Sequence, residues 1–158
     1  MSPGWFTVTA MSNPTTPTHS PSGKGLRMVR TPINPWTWSL NVGYNQAEIL
    51  EGANRQLLCA GQTAVDADGN PQHSGDMRSQ ITLALDNLEA VLSAAEMNLT
   101  NITRLTIYAT DVDEAMKHFD VLGARFGPLD AAPPMTLLGV TRLAIPGLMF
   151  EIDATAAD

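Results

Sequence analysis

The chain has 158 residues, of which 44% are hydrophobic, enough for one compact domain with a real core. Sixteen acidic against nine basic side chains give a formal net charge of −7. With no Lys/Arg cluster to reverse it locally, that sign repels phosphate backbones and excludes nucleic acid as an expected partner. The single cysteine, Cys59, excludes an internal disulfide and a CxxC site. His19, His73 and His118 lie far apart without metal-ligand spacing, so no zinc or iron site is expected. No run approaches about 18 consecutive apolar residues, and the first ten residues lack the basic and apolar regions of a signal peptide. The expected location is the cytosol, with no membrane partner.

Residues 1–30 are rich in Ser, Thr, Pro and Gly, as in Ser12-Asn-Pro-Thr-Thr-Pro-Thr-His-Ser-Pro. Such a segment cannot bury enough apolar surface to offset its ordering entropy and is expected to be a disordered tail before a domain at 31–158. A first short strand is expected at 43–50, after the aromatics Trp36, Trp38 and Tyr44. A second is expected at 55–64, apolar at Leu57, Leu58 and Cys59 and interrupted by Gly61. A glycine inside a strand marks a bulge or a close backbone approach. Cys59, in an apolar run, is expected to be an inert packed thiol.

Asp76 is placed to cap the clearest helix, in which Ile81, Leu85, Leu88, Val91, Leu92 and Ala95 recur at three- and four-residue steps. This helix is expected to end near Met97. Alternation from 102 to 110 predicts a long strand, and the apolar spacing of Met116, Phe119, Leu122 and Phe126 a second helix over 114–126. Two further strands, 136–143 and 148–155, flank Pro146-Gly147 and are expected to pair as a hairpin. In the last strand Glu151 and Asp153 fall on one face, opposite Phe150 and Ile152. The order predicts an α+β fold, a mixed sheet with two helices on one face. Two helices cover only one face of such a sheet, so self-association is expected.

Gly43-Tyr-Asn-Gln-Ala, Cys59-Ala-Gly-Gln-Thr, Leu85-Asp-Asn-Leu-Glu-Ala-Val-Leu, Arg104-Leu-Thr-Ile-Tyr-Ala-Thr-Asp and Phe150-Glu-Ile-Asp-Ala-Thr stand in an order and spacing that resemble the RidA/YjgF family across residues 33–157. The resemblance implies a chorismate-mutase-like fold and a homotrimer holding a small molecule in clefts between subunits. It also implies hydrolysis of reactive enamines and imines with release of ammonia, without metal or organic cofactor. Ribonuclease or translation-inhibitor activity, attached to some relatives, fits the negative charge poorly. Carried over by position, Glu151 would be the catalytic residue that places water. Tyr44, Gly61, Asp120, Met135 and Thr136 would belong to the substrate cleft, and Asp153 would be a bystander.

One departure stands out. Where the family reads Pro-x-Arg-Ser, Pro133-Pro134 is followed by Met135 and Thr136. A thioether cannot make the bidentate pair that a carboxylate substrate fits. Losing one partner of a desolvated ion pair costs roughly 2–5 kcal/mol, on the order of tens to thousands of fold in affinity or rate. Arg142 and Arg104 are expected to face elsewhere. The substrate is therefore expected to be an imine or enamine not held through an arginine–carboxylate pair. A non-catalytic trimer binding a small apolar ligand in the same cleft is the alternative.

Overall fold

The computed structural model describes residues 28–129 and 131–158. Of the expected tail, residues 1–27 lie outside the described residues. Its last part does not behave as a tail: Val29 and Arg30 already belong to strand β1 (Val29–Ile33), which pairs antiparallel with β2 (Ala47–Glu51). Arg30 ties the two strands of this hairpin through Glu48 at 2.6 Å and holds it to the body through the Thr100 carbonyl at 2.6 Å. The backbone N–H of Asn45 donates to the Ala132 carbonyl at 2.8 Å and fixes the hairpin beside the segment before β6.

The expected strand at 55–64 is broken at Cys59–Gly61 into β3 (Gln56–Leu58) and β4 (Gln62–Thr63), both antiparallel to β7 (Phe150–Ala157). Helix α1 (Met77–Ala94) starts where its cap predicts, the Asp76 side chain accepting from the Ser79 N–H at 3.0 Å, and ends three residues earlier than expected. Its stripe Ile81, Leu85, Leu88 and Leu92 is fully buried. Strand β5 (Ile102–Ala109) follows.

The helix expected at 114–126 is two, α2 (Val112–Met116), capped by Asp111, and α3 (Asp120–Phe126). Between them the N–H groups of His118 and Phe119 donate to the carbonyls of Ala115 and Met116, three residues back, at 3.0 and 3.4 Å. That tighter turn ends the regular helical phase. Strand β6 (Met135–Gly139) completes the main sheet.

The strand order β3-β7-β5-β6, with β4 also on β7, corrects the expected C-terminal hairpin. Strand β6 runs parallel to β5, and β7 pairs antiparallel on the other side of β5. Pro146-Gly147 does make a turn, with Gly147 at φ 88° and Leu148 N–H donating to the Ile145 carbonyl at 3.3 Å. It lies inside the connection between β6 and β7 rather than between paired strands. A turn signal specifies a local reversal, not which strands become neighbours.

One face of this sheet carries Leu105, Ile107, Phe150, Ile152 and Ala154, buried in one core with α1 and α3. The outer face carries Arg104, Thr106 and Tyr108 of β5, opposite Thr155, Asp153 and Glu151 of β7. Leu58 and Leu138 remain 73% and 46% exposed within the single chain.

Candidate functional site

The sequence-named residues divide between the two faces. On the helix side a cavity of ≈ 310 Å³ is lined by Leu40, Val42, Phe119, Leu122, Phe126 and Met135, with neighbouring glycines and alanines. Its lining includes no charged side chain. Met135 pairs with Leu105 in the sheet, and its side chain packs against the main core while reaching the cavity. Met135 is thus both core and cleft residue.

Asp120 was expected in the cleft, but it does not line the cavity. Its carboxylate takes the Arg78 guanidinium in two bonds, 2.8 and 2.7 Å, across the exposed surface between α1 and α3. This pairing, foremost the hydrogen bond, holds the Asp120 carboxyl below its ordinary range. Its neighbour Phe119 lines the cavity instead. Helical spacing did mark Phe119 as apolar and inward, but as core. Tyr44 stands just outside the lining residues, half-buried and edge-on to Trp38, with ring centroids 5.9 Å apart.

On the outer face, Glu151 lies across from Thr63 of β4 and Tyr108 of β5. Gly61 gives it room. A Cβ at that position would stand 1.8 Å from Glu151 Oε1 and 2.7 Å from its Cδ, so the carboxylate rests against the Gly61 backbone. Glu151 and Met135 are on opposite faces of the sheet, so they do not meet within one chain. Thr136 is on the outer face too and accepts from Arg104 Nη2 at 3.4 Å. Arg142 is exposed in the connection after β6. Neither arginine lines the cavity.

Glu151 has no ion pair or hydrogen bond to its side chain among the described residues. Its carboxyl is pushed above the ordinary value of 4.5, first by burial and then by the charge of Asp153. The Cys59 thiol is also pushed up by burial and by Asp153, as befits an unreactive packed cysteine. A carboxyl with a raised folded-state pKa binds more protons folded than unfolded between the two values. Its stabilising contribution is therefore complete below about 4.5 and disappears as pH rises through the folded value. Glu151→Gln, which stays neutral, is expected to raise Tm at neutral pH and to lose that advantage near pH 4. A series of thermal melts across that range checks this; a difference independent of pH would contradict it.

The model of the endoribonuclease L-PSP family matches residues 39–158. The chain belongs to this family, the RidA/YjgF proteins, and has their mixed α+β fold. Among relatives, the mitochondrial protein mmf2 of Schizosaccharomyces pombe is 30% identical over 131 residues, covering 83% of this chain and 100% of that protein. The Rid-family protein YyfB of Yersinia pestis, of unknown function, is 32% identical with a TM-score of 0.72, covering 82% of this chain and 98% of that one. Escherichia coli TdcF, solved with bound serine, is 26% identical with a TM-score of 0.59, over 73% of this chain and 87% of its own. Among the described residues no helix is long and apolar enough to cross a membrane.

Proposed function

We propose that this chain is a RidA-like hydrolase of a reactive imine or enamine that carries no carboxylate to be clamped by arginine. The observation that carries this reading is Glu151: a half-buried carboxyl with no cation paired to it among the described residues, its pKa raised by burial and then by Asp153, and seated on a glycine. A carboxylate in that state can accept a proton from water as the water oxygen bonds to the C=N carbon, and return it to nitrogen. The carboxylate then takes the proton of the new hydroxyl and passes it to nitrogen as the C–N bond breaks, leaving a carbonyl compound and ammonia. An enamine enters the same route after protonation at carbon.

Because Glu151 faces away from its own chain's cavity, the full site calls for a second copy. A head-to-tail ring brings one chain's outer face to the next chain's cavity, and a closed trimer is the smallest such ring beyond a dimer. Exposed Leu58 and Leu138 support burial of this face. The serine bound in TdcF carries a carboxylate; the apolar lining here favours a ligand without one.

The test is ammonia release from a panel of neutral imines. Turnover should fall by about 10²–10⁴ in Glu151→Ala, and no turnover, or turnover indifferent to Glu151→Ala, would end the reading. Met135→Arg should shift preference toward 2-imino acids by tens of fold or more, on the order expected for a regained ion pair. Unchanged preference would remove Met135 from the specificity argument.

The uncharged cavity favours a second reading, a non-catalytic trimer that binds a small apolar ligand. A thermal-shift screen should then find ligands whose effect disappears with Met135→Arg or Tyr44→Ala.

A further inference from the structure

The outer face contains a hydrogen bond that the hydrolytic reading leaves unused. Tyr108 stands opposite Glu151 in the register of β5 and β7, yet its hydroxyl donates diagonally to Asp153 Oδ2 at 3.1 Å. Asp153 is two residues along β7 on the same face, about 7 Å away at strand spacing. Like charges so placed on a sheet repel. A loose aspartate would turn into water and relieve this, but the bond holds it in place.

The remaining charged groups do not neutralise the pair. Arg104 lies further along β5 and donates to Thr136, and Arg142 is exposed in the connection before β7. Gly61, Gln62 and Thr63, on the β4 side, bring no charge. Cys59 is a neutral neighbour of Asp153.

We propose that Tyr108 and Asp153 are positioning residues for Glu151: the Tyr108 hydroxyl pins the Asp153 carboxylate to the sheet and so keeps its charge on the face, and beside the strand position, that carries Glu151. The proposal rests on the reading of Glu151 as the group that handles water. Asp153 thereby changes from bystander to part of the site. Burial and Asp153, in that order, are the two causes that raise the Glu151 carboxyl, so removing the second should lower it.

The experiment follows the Glu151 carboxyl carbon by NMR through a pH titration of the full-length, substrate-free protein, assigned by the signal lost in Glu151→Gln. Asp153→Asn should lower the Glu151 midpoint, and Asp153→Glu, which keeps the charge, should restore it. Tyr108→Phe should move the midpoint in the same direction as Asp153→Asn, because the freed aspartate turns into solvent and is screened. A midpoint unmoved in Asp153→Asn overturns the proposal; one moved there but not in Tyr108→Phe overturns the pinning role. A merely structural role for either residue would change Tm and leave the titration alone. The readout needs no turnover, so a wild-type protein that releases no ammonia would defeat the hydrolase reading while this titration still decides the positioning.

Discussion

Gly61→Ala is expected to cost about as much activity as deleting the Glu151 carboxylate, on the order of 10²-fold or more, with little loss of stability. The new Cβ would lie 1.8 Å from Glu151 Oε1, 2.7 Å from Cδ and 2.9 Å from Cγ, none of which is a possible contact. Since all three atoms belong to one flexible side chain at the sheet surface, the carboxylate can rotate away without moving the backbone. Gly61 is also not among the glycines with positive φ, so alanine brings no backbone strain there. Folding is spared, and the position of the carboxylate is not. Ammonia release and a thermal melt on the same preparation check both halves. The double variant with Glu151→Ala should be no worse than Glu151→Ala alone, because both changes remove one interaction. A fully active Gly61→Ala protein would show that the seat observed for Glu151 is not the working one.

The largest loss of stability is expected from Gln80→Ala. Gln80 is fully buried in α1 and binds three backbone groups outside its helix. Its Nε2 donates to the carbonyls of His73, at 3.1 Å, and Gly147, at 2.8 Å, while its Oε1 accepts from the Met149 N–H at 2.7 Å. Alanine leaves the Gly147 carbonyl and the Met149 N–H without their Gln80 partner in a site that also loses packing, while the His73 carbonyl keeps the Asp76 N–H at 3.0 Å; each buried orphan costs about 1–3 kcal/mol. Partial rescue by water reduces the sum, so we expect roughly 3–4 kcal/mol, or about 10 °C in Tm for a chain of this length. Gln80→Leu should do no better, since it restores volume but no hydrogen bond. Asn87 makes a similar pair of bonds, to the carbonyls of Thr63 and Val65, but is only half-buried. Asn87→Ala should therefore cost less, because water can reach the abandoned carbonyls. A Gln80→Ala melt within a degree or two of wild type would mean that these bonds are replaceable.

Gln80 also links stability to the site. Met149 stands two residues before Glu151, so the clamp sets how the chain enters β7. Gln80 falls among the apolar positions of α1, and nothing in helical periodicity distinguishes a buried glutamine that serves a distant loop from a tolerated polar residue. Only the arrival of Gly147 and Met149 next to that helix turn, 67 and 69 residues later, explains it.

What the sequence determined by itself was local. Asp76 with the Ile81–Leu92 spacing specifies α1, because cap and stripe both act within a few residues. Alternation in β5 and β7 specifies which side chains are buried, and places Glu151 and Asp153 together on the other face. The short motifs carry the family.

What the tertiary structure decided was which of these local pieces meet. Two strands around a Pro-Gly turn suggest a hairpin, but β5 inserts between them because β6 returns through α2 and α3 to pair parallel with it. The extra short turn before Asp120 sends Phe119 to the cavity and leaves Asp120 to Arg78. Strand pairing then sets Met135 and Glu151 on opposite faces of the sheet, so that they do not meet within one chain. Gly61, Tyr108 and Asp153 acquire their meaning only around the Glu151 carboxylate, since contacts across 45 to 90 residues depend on strand pairing that no local pattern encodes.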